Sequence, residues 1–326
     1  MVISRTPYRI SFLGGGTDYP RHIEKHGGAV LGTAIDKSGY ICVSRFFSRL
    51  FDYSIRIAYR QVECVRSVDE IQHAPFRECL RHCGISSDVE INYAGELPSH
   101  SGLGSSSSFV VGLLNALYAF QARAVSPMDL ALQAIEIEQE VLKESVGCQD
   151  QTFAAFGGLN LIEFRSAGDF QVHPVPVSPQ RLEEFQSHLL VLHTGIKRRA
   201  EGVAANQVKR LEENRAGLLE LRALADQGYC ALTGNGSLAT FGELLDRSWR
   251  LKREFDPCIA NREIHSICEA GMCAGALGAK LLGAGGGGCM LFFTPPERRG
   301  RVRESLAHLE EIPVRINAPG SRVIHQ

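Results

Sequence analysis

The segment that most constrains the fold of this chain is ELPSHSGLGSSSSFVVGLLNALYAF at residues 96–120, a Gly/Ser-rich turn followed directly by an apolar run. Gly102 and Gly104 let the backbone bend sharply and approach a ligand closely, while the serines at 105–108 supply hydroxyl groups and helix-capping chemistry. The apolar run from Phe109 predicts a buried helix with a rigid start. Because a helix start carries unpaired N–H groups and partial positive charge, the segment predicts a phosphate site. The plainer alternative is a loop that only caps a core helix.

The net charge and the apolar segments indicate which kinds of partner the protein can have. The chain has 326 residues, with 35 Lys and Arg against 36 Asp and Glu, so no overall field attracts nucleic acid or an anionic membrane. The N-terminus has no apolar segment of the signal-peptide kind, and the longest apolar run, at residues 109–120, is shorter than the roughly 20 residues of a spanning helix. We therefore predict a cytoplasmic protein whose ligands are small molecules.

The pattern of elements predicts an α+β fold in two domains. Helices and antiparallel strand pairs are mixed without a steady β-α-β alternation. Residues 165–186 hold Gly168, Pro174, Pro176 and Pro179, so we place the boundary there and predict domains 1–180 and 181–326. Other predictions are a strand hairpin from residues 39–47 and 53–66, helices at 127–144 and 203–227, and a strand at 313–317.

The second half of the chain contains a glycine loop, Gly283-Ala-Gly285-Gly-Gly-Gly288. It matches the dinucleotide fingerprint Gly-x-Gly-x-x-Gly, so an oxidoreductase is the rival hypothesis. That fingerprint needs a helix after the glycines and an acidic residue about 20 positions further on. Here a strand-like run, CMLFF, follows instead, and the acids downstream fall in a predicted helix. The match is therefore weak.

One carboxylate falls on the apolar face of the helix predicted from Pro127. Glu138 shares the face with Ala131, Ala134, Ile135, Val141 and Leu142, while Glu136 and Glu140 point away. A buried carboxylate needs a cation or hydrogen bonds, which favours a metal near the phosphate site. The alternative is an ion pair with Arg9 or Arg45. Asp150, twelve residues further on, is either an ordinary turn aspartate or part of the same site.

Three motifs resemble those of the GHMP kinases, the superfamily that includes galactokinase and mevalonate kinase. Pro98-x-x-x-Gly102-Leu103-Gly104-Ser105-Ser106 resembles the second motif, residues 280–288 resemble the third, and residues 6–19, TPYRISFLGGGTDY, correspond to the first. Two departures stand in the first motif: Tyr8 replaces a usual glycine, and GGGTD replaces the GEHTD of galactokinases. This variant looks most like the bacterial D-glycero-D-manno-heptose 7-phosphate kinases and, more distantly, the kinase part of fucokinase.

The resemblance implies a fold and an activity. It implies an N-terminal α/β domain like that of a small-subunit ribosomal protein and a C-terminal ferredoxin-like α+β domain. The implied enzyme uses ATP and Mg²⁺ to phosphorylate the anomeric hydroxyl of D-glycero-D-manno-heptose 7-phosphate to the 1,7-bisphosphate, on the route to nucleotide-activated heptose. The predicted partners are the sugar phosphate and ATP, and the sequence leaves open whether the protein is a homodimer. The alternatives are another sugar-1-kinase, such as a fucokinase or hexose kinase, and a catalytically silent sugar- and ATP-binding regulator.

The resemblance also implies roles for individual residues. Asp150 would accept the proton of the sugar hydroxyl, or act mainly by positioning and charge, and Arg9 would hold it ionised and stabilise the transferring phosphoryl. Mg²⁺ would be held by Ser106 and Glu138. The nucleotide would be bound by Gly102, Leu103, Gly104, Ser105, Ser106, Ser107, Gly285 and Gly286. The sugar would be bound by Gly15, Gly16, Thr17, Asp18 and Gly287, and its phosphate by Arg198.

Overall fold

The computed structural model describes residues 1–166, 168–196 and 200–326. Its strands are β1 (Val2–Leu13), β2 (Gly28–Arg45), β3 (Ile55–Ala58), β4 (Val62–Val65), β5 (Val89–Gly95), β6 (Leu159–Ser166), β7 (Asp169–Pro174), β8 (Leu189–His193), β9 (Gly278–Leu281), β10 (Cys289–Phe293), β11 (Glu310–Glu311) and β12 (Arg322–His325). Its helices are α1 (Pro20–His26), α2 (Ala74–His82), α3 (Ser105–Phe120), α4 (Pro127–Glu136), α5 (Gln149–Phe156), α6 (Pro179–Ser187), α7 (Ala200–Lys209), α8 (Arg215–Thr233), α9 (Ala239–Phe255), α10 (Arg262–Cys273) and α11 (Arg299–Ser305).

The larger sheet is organised around the long strand β2. Within the described residues the strand order is β12-β1-β2-β5-β3-β4, and β6 and β7 extend the sheet from β2. Strand β2 pairs with β6 through residues 28–33 and with β5 through residues 39–45. Its register with β1 shifts between Pro7 and Arg9, where proline has no N–H to donate. The C-terminal strand β12 returns to pair with β1.

Helix α3 is the central support of the larger sheet. Its residues from Ser107 to Leu114 are all buried, as are Ala116, Leu117 and Tyr118. It packs against β1 and β2 and also contacts α2, α4 and α5. Because the helix is apolar on every face, it is stable only when covered on all sides. The predicted buried helix is therefore observed, and its N-terminus has a fixed position.

The smaller sheet has the antiparallel order β11-β8-β10-β9 in the described part of the chain. Its core continues into the end of β1, because Phe12 stacks edge-on against Phe185 of α6 and Phe241 of α9, with ring centroids 5.3 and 5.7 Å apart. Side chains alternate along a strand, so Arg9 and Ser11 point to the opposite side from Phe12. The end of β1 therefore joins the two halves and presents polar groups beside the joint.

Three predicted elements are wrong. Residues 39–47 do not form a hairpin with 53–66, because residues 39–45 are the end of β2, which pairs with β1 and β5, while β3 pairs with β4. The helix predicted at 203–227 is divided into α7 and α8. Residues 313–317 contribute only an isolated bridge from Ile316 to Ile35, and the strands of that region are β11 and β12. Alternation indicates an exposed face but not a partner strand.

No helix in the described ranges is long and apolar enough to cross a membrane.

The close approach of α9 to β9 provides a test of the fold. A Cβ atom at Gly278 would lie 2.1 Å from the backbone oxygen of Gly242 in α9, whereas one at Gly300 would have no atom within 4 Å. We expect Gly278→Ala to lower the free energy of unfolding by about 1–3 kcal/mol, because backbone must move to admit the methyl group. Gly300→Ala, the matched control, should leave it unchanged or raise it by up to about 1 kcal/mol. Urea denaturation measures both, and equal stabilities would contradict the packing described.

Candidate active site

A cavity of about 210 Å³ lies between the turn before α3, the glycine turn at residues 14–16 and the second half of the chain. The sequence-predicted residues that line it are Arg9, Gly15, Gly16, Asp18, Gly102, Gly104, Ser105, Ser106, Ser107 and Asp150. Those that do not line it are Thr17, Leu103, Glu138, Gly285, Gly286 and Gly287. Arg198 lies outside the described residues.

Arg9 and Asp150 form the central pair of the cavity. Nε and Nη2 of Arg9 donate to the two carboxylate oxygens of Asp150, each at 2.7 Å. Nη1 donates to the backbone oxygen of Gly102, also at 2.7 Å. The Arg9 side chain is 6% exposed and that of Asp150 is 25% exposed. A paired, two-point bond of this kind fixes the direction of the carboxylate, which keeps one side open to the cavity.

The turn before α3 presents backbone amides to the cavity. Helix α3 begins at Ser105 after Gly104, which has φ 73° and makes no side-chain cap. The first N–H groups of a helix have no acceptor within the helix, so those of the first turn face a place where an anion can bind. The predicted capping by the serines is not observed. The hydroxyl of Ser107 donates to Glu138 and that of Ser108 to the Thr6 backbone oxygen, while Ser106 is exposed.

The glycine loop at residues 283–288 packs directly against the turn before α3. A Cβ atom at Gly102 would lie 2.4 Å from the backbone oxygen of Leu282, and one at Gly283 would lie 2.8 Å from the Cα of Gly102. Both glycines have a left-handed φ, 79° and 78°. The N–H of Cys289 also donates to the Ser101 oxygen at 2.9 Å. The two turns therefore hold one another, and neither accepts a side chain at the contact.

The remaining glycines of this loop have contacts of their own. The N–H of Gly286 donates to the Ile259 oxygen at 2.8 Å. A Cβ atom at Gly285 would lie 2.9 Å from the Ile259 Cα, and one at Gly287 would lie 2.4 Å from the Ile196 oxygen. After Gly288 the chain enters β10, which is antiparallel to β9. The helix that a dinucleotide fingerprint requires is therefore absent at this described loop.

Glu138 is fully buried, as the sequence predicts, although the helix that carries it differs. Helix α4 ends at Glu136 and a π-helical turn follows at Ile137–Val141, so the periodicity changes and Val141, predicted to be buried, is 49% exposed. The Glu138 carboxylate accepts hydrogen bonds from Ser107 at 3.1 Å and from Gln151. Burial, together with the nearby charges of Glu144 and Asp150, raises its pKa to about 8 against the opposing effect of those two bonds.

The surroundings of Glu138 fit a hard divalent cation. In the described ranges no Lys or Arg forms an ion pair with it: Arg9 pairs with Asp150 and Arg45 lies over the ring of Phe120. Carboxylate and hydroxyl oxygens are the ligands that Mg²⁺ prefers. No group of three or more Asp, Glu, His or Cys side chains that could hold a metal occurs among the described residues. Mg²⁺ commonly keeps several waters and is bound by one or two carboxylates together with substrate phosphates. The Glu138 carboxylate and a serine hydroxyl therefore fit a Mg²⁺ ion that is also bound by water and by phosphate.

Asp18 is a second carboxylate at the cavity, buried and hydrogen-bonded. It accepts from the N–H of Gly16 at 3.0 Å and from Nε2 and the N–H of Gln149 at 2.9 and 3.2 Å. Burial raises its pKa, and the charge of Asp150 adds to the effect against these bonds. Thr17 points elsewhere, because its hydroxyl donates to the Gly14 oxygen at 2.8 Å. Asp18 therefore has a fixed place at the cavity.

Two buried lysines line the cavity and were missed by the sequence reasoning. Lys252 donates to the Gly283 oxygen at 2.7 Å, and Lys280 donates to the backbone oxygens of Ser11 and Phe12 at 3.0 and 2.6 Å. Burial lowers the pKa of both. A signal for Lys252 exists in the sequence: it follows Leu245 and Trp249 at helical spacing, so it shares their buried face.

Comparisons with known proteins support the family that the motifs indicate. A family model described as the GHMP kinases N terminal domain matches residues 71–158, and one described as GHMP kinases C terminal matches residues 222–310. Together the two matches cover more than half of the chain. The chain belongs to the GHMP kinases and is an ATP-dependent phosphotransferase. The predicted family and the predicted α+β fold class are thereby confirmed.

Individual relatives cover almost the whole chain. A D-glycero-alpha-D-manno-heptose 7-phosphate kinase of Campylobacter jejuni is 27% identical over 318 residues, which is 94% of this chain and 93% of that protein. A bifunctional L-fucokinase/L-fucose-1-P guanylyltransferase of Bacteroides fragilis is 27% identical over 99% of this chain, which covers 37% of that longer protein. The crystal structure of a D-glycero-D-manno-heptose 1-phosphate kinase from Bacteroides thetaiotaomicron has a TM-score of 0.82 at 22% identity, covering 100% of this chain and 99% of that one.

The burial of Lys252 gives a pH-dependent prediction. Burial lowers its pKa to about 8 from the 10.5 of an unperturbed lysine. Below the folded pKa the native protein carries the cost of a buried ammonium, about 3 kcal/mol, and this cost disappears as the pH rises towards the unfolded pKa. The stability of Lys252→Met relative to the wild type should therefore fall by about that amount between pH 7 and pH 10. Chemical denaturation at both pH values measures it, and a difference independent of pH would exclude a depressed pKa.

Proposed function

We propose that this GHMP kinase transfers the terminal phosphoryl group of ATP to the anomeric hydroxyl of D-glycero-D-manno-heptose 7-phosphate, giving the 1,7-bisphosphate. The observation that carries the proposal is the Asp150 carboxylate, fixed by Arg9 and open to the cavity between the α3 N-terminus and Asp18. The similarity over nearly its whole length to a heptose 7-phosphate kinase supports the acceptor.

The nucleotide side of the cavity is suited to a triphosphate. The α3 N-terminus supplies amides and partial positive charge, and Gly102 and Gly104 keep side chains away from the phosphates. Within the glycine loop, Gly283 and Ala284 line the cavity, so we assign the nucleotide contact of that loop to them. Gly285, Gly286 and Gly287 would act through the loop backbone, which their contacts with Ile259 and Ile196 hold in shape.

The acceptor side is built from the glycine turn and two carboxylates. Asp18, with Gly15 and Gly16, would hold sugar hydroxyls, and Thr17 would hold the turn. Asp150 would accept the proton of the attacking hydroxyl, and Arg9 would orient its carboxylate and stabilise negative charge on the transferring group. Arg198 remains our proposal for the acceptor's phosphate on sequence alone.

Phosphoryl transfer depends chiefly on alignment and charge neutralisation. Ser106 and Glu138 would hold Mg²⁺, which neutralises phosphate charge when bound. The chain supplies the alignment: the Arg9–Asp150 pair fixes the base, and the interlocked turns fix the phosphate site.

The acceptor is tested by coupled ADP release from ATP and Mg²⁺ with D-glycero-D-manno-heptose 7-phosphate, the unphosphorylated heptose, L-fucose and D-galactose. We expect the highest kcat/KM with the heptose 7-phosphate. A higher kcat/KM with fucose or galactose would show that this sugar, and not the heptose 7-phosphate, is the acceptor. Binding of these sugars without ADP release would favour the alternative of a silent sugar- and ATP-binding regulator.

Removal of the base gives the first test of the mechanism. Asp150→Asn keeps the shape of the side chain but cannot accept the proton, so kcat should fall by about 10²–10⁴ while ATP binding stays near normal. Asp52→Asn, at an exposed carboxylate, is the matched control and should be as active as the wild type. Turnover of Asp150→Asn near the wild-type value would remove Asp150 from the mechanism.

Two glutamates near the π-helical turn test the metal proposal. Glu138→Gln removes the buried charge, so the Mg²⁺ concentration for half-maximal activity should rise by at least about tenfold. Glu140 is exposed and pairs with Lys143, so Glu140→Gln should leave this concentration unchanged. Titration of Mg²⁺ at saturating ATP measures both, and equal shifts in the two variants would disprove the role of Glu138.

A further inference from the structure

Lys252 is a cation at the cavity that the proposed chemistry leaves unused. It lies on α9, in the second half of the chain, and is 6% exposed. Its charge interacts most strongly with that of Asp18, then with Arg9 and Asp150, and Lys280 is also near enough to interact. These are the charges of the acceptor side and of the base, so Lys252 faces the reacting end of the cavity.

The ammonium of Lys252 has spare hydrogen-bonding capacity. A lysine carries three N–H donors. One donates to the Gly283 oxygen at 2.7 Å, and Lys252 forms no other hydrogen bond within the described residues. Lys280 differs, because two of its donors are taken by the backbone of β1. Lys252 is therefore fixed through one bond and can donate to a ligand through the others.

Unpaired oxygens lie on the same side of the cavity. Ser11 Oγ and Gln149 Oε1 line it, are buried, and have no hydrogen-bond partner in the part of the chain that the structure describes. Both surround Gly15, because a Cβ atom there would lie 3.0 Å from Ser11 Oγ and 3.9 Å from Gln149 Oε1. Buried polar atoms are normally paired, so these point to a ligand with several hydroxyl groups.

We propose that Lys252 is an acceptor-binding residue, whose ammonium donates a hydrogen bond to a sugar oxygen next to the hydroxyl that reacts. Ser11 and Gln149 would bind further hydroxyls of the same molecule. This inference rests on the proposed function and adds a contact from the second half of the chain. Because Lys252 faces Asp18 and Asp150, it recognises the ring of a phosphorylated or unphosphorylated sugar rather than a distant phosphate.

The test compares Lys252→Met and Lys252→Arg with Arg250→Met, a control on the same helix whose exposed side chain pairs with Asp246. Lys252→Met should raise the KM for the acceptor about 10- to 100-fold, the loss expected for a hydrogen bond to a charged group. The KM for ATP should change less than about threefold. Lys252→Arg should recover part of the loss, and Arg250→Met should match the wild type.

A comparison of two acceptors, D-glycero-D-manno-heptose 7-phosphate and the unphosphorylated heptose, shows which part of the sugar Lys252 contacts. Lys252→Met should impair both by the same factor, whereas Arg198→Ala should impair only the phosphorylated one. An effect of Lys252→Met confined to the phosphorylated sugar, or an equal rise in the KM for ATP, would overturn the inference. ATP binding by calorimetry and the melting temperature show whether Lys252→Met is folded, and Lys252→Gln replaces it if it is not.

A pH profile separates binding from a structural role. The charged groups around Lys252 are Asp18, Asp150, Arg9 and Lys280. The wild-type kcat/KM for the acceptor should fall above about pH 8, where Lys252 loses its proton. In Lys252→Arg the kcat/KM for the acceptor should stay constant to higher pH. A decline of kcat/KM identical to that of the wild type would contradict the inference. If the wild type phosphorylates no sugar, the proposed function fails; if it is active and Lys252→Met has unchanged kinetics, only this inference fails.

Discussion

The guanidinium of Arg9 is the interaction on which the rest of the site depends. From the end of β1 it bonds both oxygens of Asp150 in α5 and the backbone oxygen of Gly102 before α3. One buried side chain therefore fixes the Asp150 carboxylate and the turn before α3 relative to each other. A residue at Gly104 with a Cβ atom would approach Arg9 to 3.0 Å, so the turn fits around the guanidinium. The site is aligned before any ligand arrives, as phosphoryl transfer requires.

A second constraint is the density of buried charge where the two halves meet. Arg9, Lys252 and Lys280 face Asp18 and Asp150 within one cavity. Burial disfavours each charge, which is why the pKa of both lysines is lowered and that of Asp18 is raised. The arrangement is tolerated because opposite charges and backbone dipoles compensate one another. Ligands with phosphates and hydroxyls complete this compensation, so the same feature that limits stability favours binding.

The sequence predicted much of this site and missed part of it. The sequence predicts a buried Glu138 because it shares a helical face with apolar residues, and the resemblance to the GHMP kinases implies a role for Asp150, twelve residues further on. The three glycine- and serine-rich motifs indicated the family. Lys252 shows the same face pattern as Glu138, but it lies in none of the motifs, so the resemblance to the family does not indicate it. The motif predicts that Gly285, Gly286 and Gly287 contact ligands; none of the three lines the cavity, and the N–H of Gly286 donates to the Ile259 oxygen.

The sequence by itself determined the elements whose cause is local: the all-apolar helix α3, the sharp glycine turns around it and the buried face of α4. Tertiary structure decided which of these meet. Arg9 and Asp150 are 141 residues apart, and Lys252 reaches the cavity from another helix. The sequence also did not predict the pairing of β2 along its whole length or the π-helical turn at Glu138. The physical reason is that periodicity fixes which face of an element is buried, while the partner of that face depends on packing between segments far apart in the chain.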